Sequence, residues 1–118
     1  MRLLVVDDDL SVGKLLRAIF EREGWEVDSA GSGEECLTTV EATPPDVIVL
    51  DHMMPGLTGI ETARRLRHGG FDKPIVLFSA YLGPELQTAV RELDLKPVSK
   101  VDTQAVVRIV DALGGALA

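Results

Sequence analysis

Short apolar runs recur along the chain, and the stretches between them have the spacing of helices. The strongest runs are RLLVV at 2–6, DVIVL at 46–50 and PIVLF at 74–78. They are rich in β-branched residues and do not alternate with polar ones, which is typical of strands in a parallel sheet covered on both faces. Two weaker runs, WEVDSA at 25–30 and PVSK at 97–100, predict two further strands.

Apolar residues spaced three or four positions apart predict a helix after each strand. These residues are Val12, Leu15, Leu16 and Ile19, then Leu37 and Val40, then Ile60, Ala63 and Leu66, then Leu86, Val90 and Leu93, and last Val106, Ile109, Val110 and Leu113. Pro84 suits the first turn of the fourth helix, and Thr103 is expected to cap the fifth. Strand followed by helix, repeated about five times, predicts a doubly wound α/β domain with right-handed crossovers.

Polar side chains end most of the predicted strands. The first strand ends in Asp7 and Asp8, the third in Asp51, the fourth in Ser79 and the last in Lys100. Ligands of such sheets bind beyond the carboxyl ends of the strands, so these groups are expected to converge. Like charges about 4 Å apart repel by roughly 1 kcal/mol in water, and by more near a protein surface. The cluster therefore favours a cation site over a solvated turn.

Composition restricts the setting of this domain. With 118 residues, of which 46% are hydrophobic, the chain is expected to form a single domain over residues 1–118. The net charge of −7 argues against sequence-independent nucleic-acid binding, which depends on Lys and Arg. The lone Cys36 fits a reducing compartment and a buried structural role. Without a membrane-length apolar run or a visible secretory leader, a cytoplasmic location is expected.

Three segments carry a family resemblance. VVDDD at 5–9, DVIVLDHMMPGLTGIE at 46–61 and PIVLFSA at 74–80, followed by a late Lys, resemble the receiver domain of two-component response regulators. The resemblance covers essentially the whole chain, and LDHMMPGLTG is its most specific part. It implies a flavodoxin-like fold, with a five-stranded parallel sheet of order 2-1-3-4-5 and helices on both faces. It also implies a signalling domain that catalyses only its own phosphorylation and dephosphorylation.

The resemblance further implies a metal site and a phosphorylation site. Asp51 would be the phosphoacceptor and would share a Mg²⁺ ion with Asp8, with Asp7 through water, and with the backbone carbonyl of Met53. Mg²⁺ is a hard octahedral cation that takes one or two carboxylates together with waters and phosphate oxygens, which suits this donor set. Ser79 would hydrogen-bond one phosphoryl oxygen.

Lys100 would pair with another phosphoryl oxygen, although Lys96-Pro97 matches the family's Lys-Pro dipeptide by letters. Lys100 is preferred because it lies 21 positions after Ser79, whereas Lys96 lies only 17 positions after it. Lys96 also follows the fourth helix so closely that no strand is expected before it. Three departures from the family pattern lie nearby. Asp94 stands near a usual glycine, Val101 follows Lys100 where Pro is usual, and the usual aromatic residue is either replaced by Pro97 or deleted.

The implied partners are proteins. A sensor histidine kinase or a phosphotransfer protein would supply the phosphoryl group. The fourth helix, last strand and fifth helix would form the output face, used for self-association or for docking a downstream protein, with no direct contact to nucleic acid or membrane.

Neighbouring residues receive structural interpretations. Asp9 is expected to start the first helix, where its charge suits the helix dipole. His52 should face away from Asp51, because successive side chains of a strand point to opposite faces. His68 is interpreted as a solvated residue at a helix end. Met53 is assigned to local packing like Met54, although Met53 and Tyr81 occupy positions that tune phosphoryl lifetime in the family.

The same residues bear on three other classes of protein. A haloacid dehalogenase phosphatase needs a second acid two residues after its nucleophile, where this chain has Met53. A flavodoxin-like cofactor binder needs a phosphate loop after the first strand, where this chain has DDDLSVG. A receiver-like interaction module that does not turn over phosphate stays open as the alternative.

Overall fold

Strands and helices alternate along residues 1–117, which the computed structural model describes. The strands are β1 (Arg2–Val6), β2 (Glu26–Ala30), β3 (Val47–Leu50), β4 (Ile75–Ser79) and β5 (Leu95–Ser99). The helices are α1 (Leu10–Glu21), α2 (Gly33–Ala42), α3 (Gly59–His68), α4 (Gln87–Glu92) and α5 (Thr103–Leu117). A 3₁₀ turn, Pro84–Leu86, leads into α4. Within this range, none of the helices combines the length and the apolarity that crossing a bilayer requires.

All five strands are parallel and lie in the order β2-β1-β3-β4-β5, which confirms the predicted doubly wound, flavodoxin-like fold. The three central strands, β1, β3 and β4, are buried on both faces, because successive side chains point in opposite directions and helices cover both sides of the sheet. Leu4, Val6, Ile48, Leu50, Ile75 and Leu77 face α2, α3 and α4, and Leu3, Val5, Val47, Val49, Val76 and Phe78 face α1 and α5. Burial on both sides explains why the runs show no polar alternation.

Strand β5 begins two residues earlier than the predicted run at 97–100. It starts at Leu95 because Asp94 turns the chain sharply, with a φ of 53° in the left-handed region where glycine is usual. The predicted start at Pro97 was therefore wrong, although a single strand residue, Leu95, precedes Lys96. Pro97 lies within β5, opposite Leu77, and is tolerated there because β5 is the edge strand.

The residue predicted to start the helix was right for α1 and wrong for α5. Asp9 caps α1, as predicted, and its carboxylate accepts hydrogen bonds from the Ser11 N–H at 3.0 Å and the Ser11 hydroxyl at 2.6 Å. Thr103 was predicted to cap the last helix, and this was wrong. It is the first residue of α5, and the Asp102 carboxylate one position earlier accepts the Ala105 N–H at 2.9 Å.

The buried stripe of α1 is narrower than the predicted face. Leu16 and Phe20 are buried, whereas Leu15 is 49% exposed. Trp25 packs edge-on against Phe20, with ring centroids 5.8 Å apart. Because Trp25 directly precedes β2, it lies at the amino end of the sheet, opposite the edge where the strands end.

Candidate functional site

The carboxyl ends of four strands bring polar side chains to one edge of the sheet. Asp7 follows β1, Asp51 follows β3, Ser79 ends β4 and Lys100 follows β5. The Asp7 N–H donates to the Ala30 carbonyl at 3.0 Å, and the Asp51 N–H donates to the Val6 carbonyl at 2.9 Å. Sheet hydrogen bonding thus continues one residue beyond β1 and β3, so the backbone of both aspartates is held by the sheet.

Three carboxylates form an oxygen-only donor set at this edge. One oxygen each of Asp7, Asp8 and Asp51 lies within 4.8 Å of the other two. Asp7 and Asp51 are buried, and Asp8 is exposed. Hard cations such as Mg²⁺ take carboxylate oxygens in small numbers and keep several waters, which an exposed third ligand permits. The residues present therefore fit a Mg²⁺ ion.

Lys100 adds a positive charge to this cluster. Its Nζ lies 2.5 Å from Asp7 Oδ2 and 3.1 Å from Asp51 Oδ2. The Lys100 N–H donates to the Ser79 carbonyl at 3.0 Å, which ties the residue to the end of β4. Lys96, the other candidate, is the second residue of β5, lies opposite Val76, and has an exposed side chain. The structure thus brings Lys100, and not Lys96, to the carboxylates.

The pKa values of both Asp7 and Lys100 are raised, for different reasons. Burial raises the pKa of Asp7, and the opposing hydrogen bonds from Lys100 and from the Asp9 N–H at 2.9 Å do not cancel it. Burial alone would lower the pKa of Lys100, but its hydrogen bonds to Asp7 and Asp51 outweigh burial and raise it. Lys100 therefore stays positively charged beside Asp7 and Asp51. A further cation would stabilise the ionised form of these carboxylates.

Ser79 and its neighbours line the adjoining part of the edge. The Ser79 side chain is fully buried, and its Oγ accepts the Tyr81 N–H at 3.4 Å. A bond of this length is weak, so the hydroxyl can change partner at little cost. Ala80, between the two residues, is small and exposed.

The segment from His52 to Thr58, which we name the β3–α3 loop, folds back on the end of β3. The His52 carbonyl accepts the N–H groups of Met54 at 3.1 Å and Gly59 at 2.9 Å. A Cβ on Gly59 would lie 2.2 Å from the Asp51 carbonyl oxygen, so only glycine fits there. Met53 was wrongly assigned to packing, because it is 61% exposed on the loop, whereas Met54 is buried as predicted.

The residues interpreted as structural have local partners or positions that account for them. The His52 Nδ1 accepts the Ile60 N–H at 3.3 Å, so its ring is engaged at the start of α3. His68 is exposed as the last residue of α3. Burial raises the pKa of the Cys36 thiol to about 12, which leaves it protonated and inert.

Two features of this region were missed in the sequence. The Tyr81 hydroxyl donates to the Glu85 carboxylate across the β4–α4 connection. The Glu34 carboxylate, from the first turn of α2, accepts the Leu57 N–H of the β3–α3 loop at 3.0 Å. An acidic residue in a first helical turn is already explained by the helix dipole, so the sequence carried no signal for the second contact.

Comparison with known proteins agrees with this geometry. A family model described as the response regulator receiver domain matches residues 3–104. The response regulator MprA of Mycobacterium avium is 45% identical over 80 residues, which cover 68% of this chain and 35% of that protein. The alkaline phosphatase synthesis transcriptional regulatory protein PhoP of Bacillus subtilis is 44% identical over 79 residues, or 67% and 33% of the two chains. The chain thus spans about a third of the length of the curated relatives that it matches.

Solved structures give the same result over nearly the full chain. The receiver domain of a Francisella response regulator has a TM-score of 0.89 and 27% identity, covering 99% of this chain and 98% of that one. The response regulator TrrA of Thermotoga maritima, solved in complex with Mg²⁺ and BeF, has a TM-score of 0.82 and 32% identity, covering 95% and 97%. With the family match and the shared fold, the chain belongs to the response regulator receiver domains of two-component signalling systems.

Proposed function

We propose that this receiver domain accepts a phosphoryl group on Asp51 from a sensor histidine kinase or a phosphotransfer protein. The observation that carries the proposal is the position of the Lys100 ammonium, 2.5 Å from Asp7 and 3.1 Å from Asp51. It supplies positive charge beside one carboxylate that would react and another that would help to hold metal. In this proposal phosphorylation then changes the contacts of the domain with a downstream protein.

Asp7, Asp8, Asp51 and the backbone carbonyl of Met53 would hold Mg²⁺. The support is the oxygen-only cluster, whose three carboxylate ligand atoms lie within 4.8 Å of one another. The ion would offset the repulsion among these carboxylates and stabilise negative charge on the transferring phosphoryl group.

The transfer itself would be a displacement at phosphorus. A carboxylate oxygen of Asp51 forms a bond to the phosphorus as the bond from phosphorus to the donor's imidazole nitrogen breaks. The electron pair of the broken bond stays on that nitrogen. The donor's phosphohistidine carries a proton on its other ring nitrogen during transfer, so the products are an acyl phosphate on Asp51 and a neutral histidine. Lys100 would pair with one phosphoryl oxygen, and the Ser79 hydroxyl would donate to another.

The downstream contact is assigned to α4, β5 and α5, through self-association or a partner protein, with no direct nucleic-acid or membrane contact. β5 is an edge strand, and both Lys96 and Pro97 on it are exposed. A cytoplasmic location is part of the proposal, because the one cysteine, Cys36, is buried as a free thiol.

Acetyl phosphate with Mg²⁺, followed by intact-mass measurement, tests the proposal. The protein should gain one base-labile phosphoryl group, and Asp51→Asn should gain none because an amide is a far poorer nucleophile. Asp9→Asn is the matched control, since asparagine caps a helix as well as aspartate does and this carboxylate is bound to Ser11. Equal phosphorylation of Asp51→Asn at the same site would refute the proposal. No phosphorylation of the natural chain would favour the alternative of an interaction module that does not turn over phosphate.

A further inference from the structure

The β3–α3 loop is held by a contact from outside its own segment. Glu34 lies 23 positions before Leu57, and its Oε1 accepts the Leu57 N–H at 3.0 Å. The same carboxylate lies against Gly56, where a Cβ would stand 3.0 Å from Glu34 Oε1. Gly56 has a φ of 76°, which lets the loop turn beneath the carboxylate.

Tight packing at Gly33 fixes the start of α2, and with it the backbone of Glu34. A Cβ on the preceding Gly33 would lie 2.2 Å from the Thr62 hydroxyl of α3 and 2.8 Å from the Leu57 Cβ. The first turn of α2 is therefore seated directly against both α3 and the loop. A hydrogen bond to a carboxylate is stronger than one between neutral groups. The packing of α2 holds the Glu34 carboxylate where it can accept the Leu57 N–H.

We propose that Glu34 is a positioning residue for the metal site, acting through the β3–α3 loop. The proposal rests on the proposed function, because Met53 on this loop would supply a carbonyl ligand directly after Asp51. The near end of the loop is fixed by the bonds to the His52 carbonyl. Its outer part is held by the bond from Leu57 to Glu34. Loss of that carboxylate frees the turn that follows Met54, so the Met53 carbonyl is then positioned by the bonds to His52 without the support of that turn.

Three variants separate the role of the acceptor from the role of the charge. Glu34→Ala removes both, and Glu34→Gln keeps an acceptor oxygen without the charge. Glu35→Ala removes a charge from the same helical turn, but the Glu35 carboxylate accepts the Gly31 N–H at 3.0 Å and not a loop amide. Folding of each variant is checked by thermal unfolding.

Two measurements by NMR test the proposal. In metal-free protein, Glu34→Ala should speed hydrogen exchange of the Leu57 amide by roughly tenfold, because its acceptor is gone. In a Mg²⁺ titration, the same variant should bind about tenfold more weakly, as is usual when a residue that orients ligands is lost. Glu34→Gln should retain most of both properties, and Glu35→Ala should change neither.

Unchanged Mg²⁺ affinity in a folded Glu34→Ala protein would overturn the positioning role while leaving the proposed function intact. Equal weakening by Glu35→Ala would also overturn it, because charge alone would then account for the effect. Failure of the natural chain to bind Mg²⁺ would refute the proposed function itself, whatever the exchange rate of the Leu57 amide.

Discussion

The ammonium group of Lys100 lies 2.5 Å from a carboxylate oxygen of Asp7, although the strands that these residues follow are not neighbours. Strand β5 is separated from β1 by β3 and β4. The lysine side chain therefore crosses the carboxyl edge of the sheet, and it passes the Asp51 carboxylate on the way. A group that joins the edge strand to the centre of the site is well placed to report a change at Asp51.

Replacing Lys100 with alanine should leave Mg²⁺ binding intact, because all three carboxylates stay in place. It should weaken the response to phosphorylation, since the ammonium that pairs with the phosphoryl group is absent. Phosphorylation-induced changes in the amide spectrum of α4 and β5 measure this response. Lys96→Ala is the matched control, because that side chain is exposed and lies away from the carboxylates. A normal response in Lys100→Ala with a lost response in Lys96→Ala would reverse the assignment.

Binding of Mg²⁺ should change the fluorescence of Trp25 very little. Trp25 is the one tryptophan of the chain and packs against Phe20 at the amino end of the sheet. The carboxylates lie at the opposite edge, so the ion should not contact or quench the indole. A fluorescence titration run beside an NMR titration checks this. Strong quenching that Asp8→Asn abolishes would show that the metal site and the indole communicate.

The Tyr81 phenol should ionise at a pH above its ordinary pKa of about 10. Its hydroxyl donates to the Glu85 carboxylate, and that bond raises the pKa of Tyr81 and lowers the pKa of Glu85. The contribution of the pair to folding is present at neutral pH. It is lost as pH rises through the raised tyrosine pKa or falls through the lowered glutamate pKa.

Absorbance at tyrosinate wavelengths measures this directly, because Tyr81 is the one tyrosine in the sequence. Glu85→Gln should return the Tyr81 pKa toward its ordinary value, since glutamine accepts the hydrogen bond without a negative charge. Identical titration curves for the two proteins would mean that the pair does not form in solution.

Much of the fold follows from one property of the sequence. Strands buried on both faces produce continuous apolar runs, and parallel strands joined by helices place all their carboxyl ends at one edge. For this reason the sequence could predict the sheet and the residues that meet at Asp51. The start of β5 was missed, because it depends on a left-handed backbone at Asp94. The family has a glycine near this position, but aspartate adopts that conformation much less often than glycine does.

Two further features, the residue that caps α5 and the contact from Glu34 to Leu57, also could not be decided from the sequence. Asp102 and Thr103 are adjacent and both cap helices well, so sequence alone does not decide which one starts α5. The contact from Glu34 to Leu57 joins two loop-and-helix boundaries that meet only when α2 packs on α3. Contacts of this kind depend on tertiary packing and have no periodic signature.

Arg67 should be important for stability, and this prediction also rests on a tertiary contact. Its guanidinium donates to the carbonyls of Leu93 at 2.8 Å, Asp94 at 3.2 Å, Phe71 at 3.0 Å and Lys73 at 2.7 Å. Burial lowers the pKa of Arg67, although the nearby acids oppose this shift, so the side chain is partly desolvated. It joins the end of α3 to the segment before β4 and to the turn that starts β5.

Arg67→Ala should therefore lower the free energy of unfolding by about 2–4 kcal/mol. Hydrogen bonds from a charged donor contribute roughly 1.5–3 kcal/mol each, and water can replace only part of this at the four carbonyls. Arg67→Lys should recover little, since an ammonium cannot reproduce the planar fork of donors. Arg64→Ala is the control, because Arg64 pairs with Glu92 at 3.7 Å between side chains that are 56% and 57% exposed. Such exposed pairs contribute about 0–1 kcal/mol. Urea unfolding followed by circular dichroism measures all three variants, and equal losses for Arg67→Ala and Arg64→Ala would show that the four carbonyl contacts do not stabilise the fold.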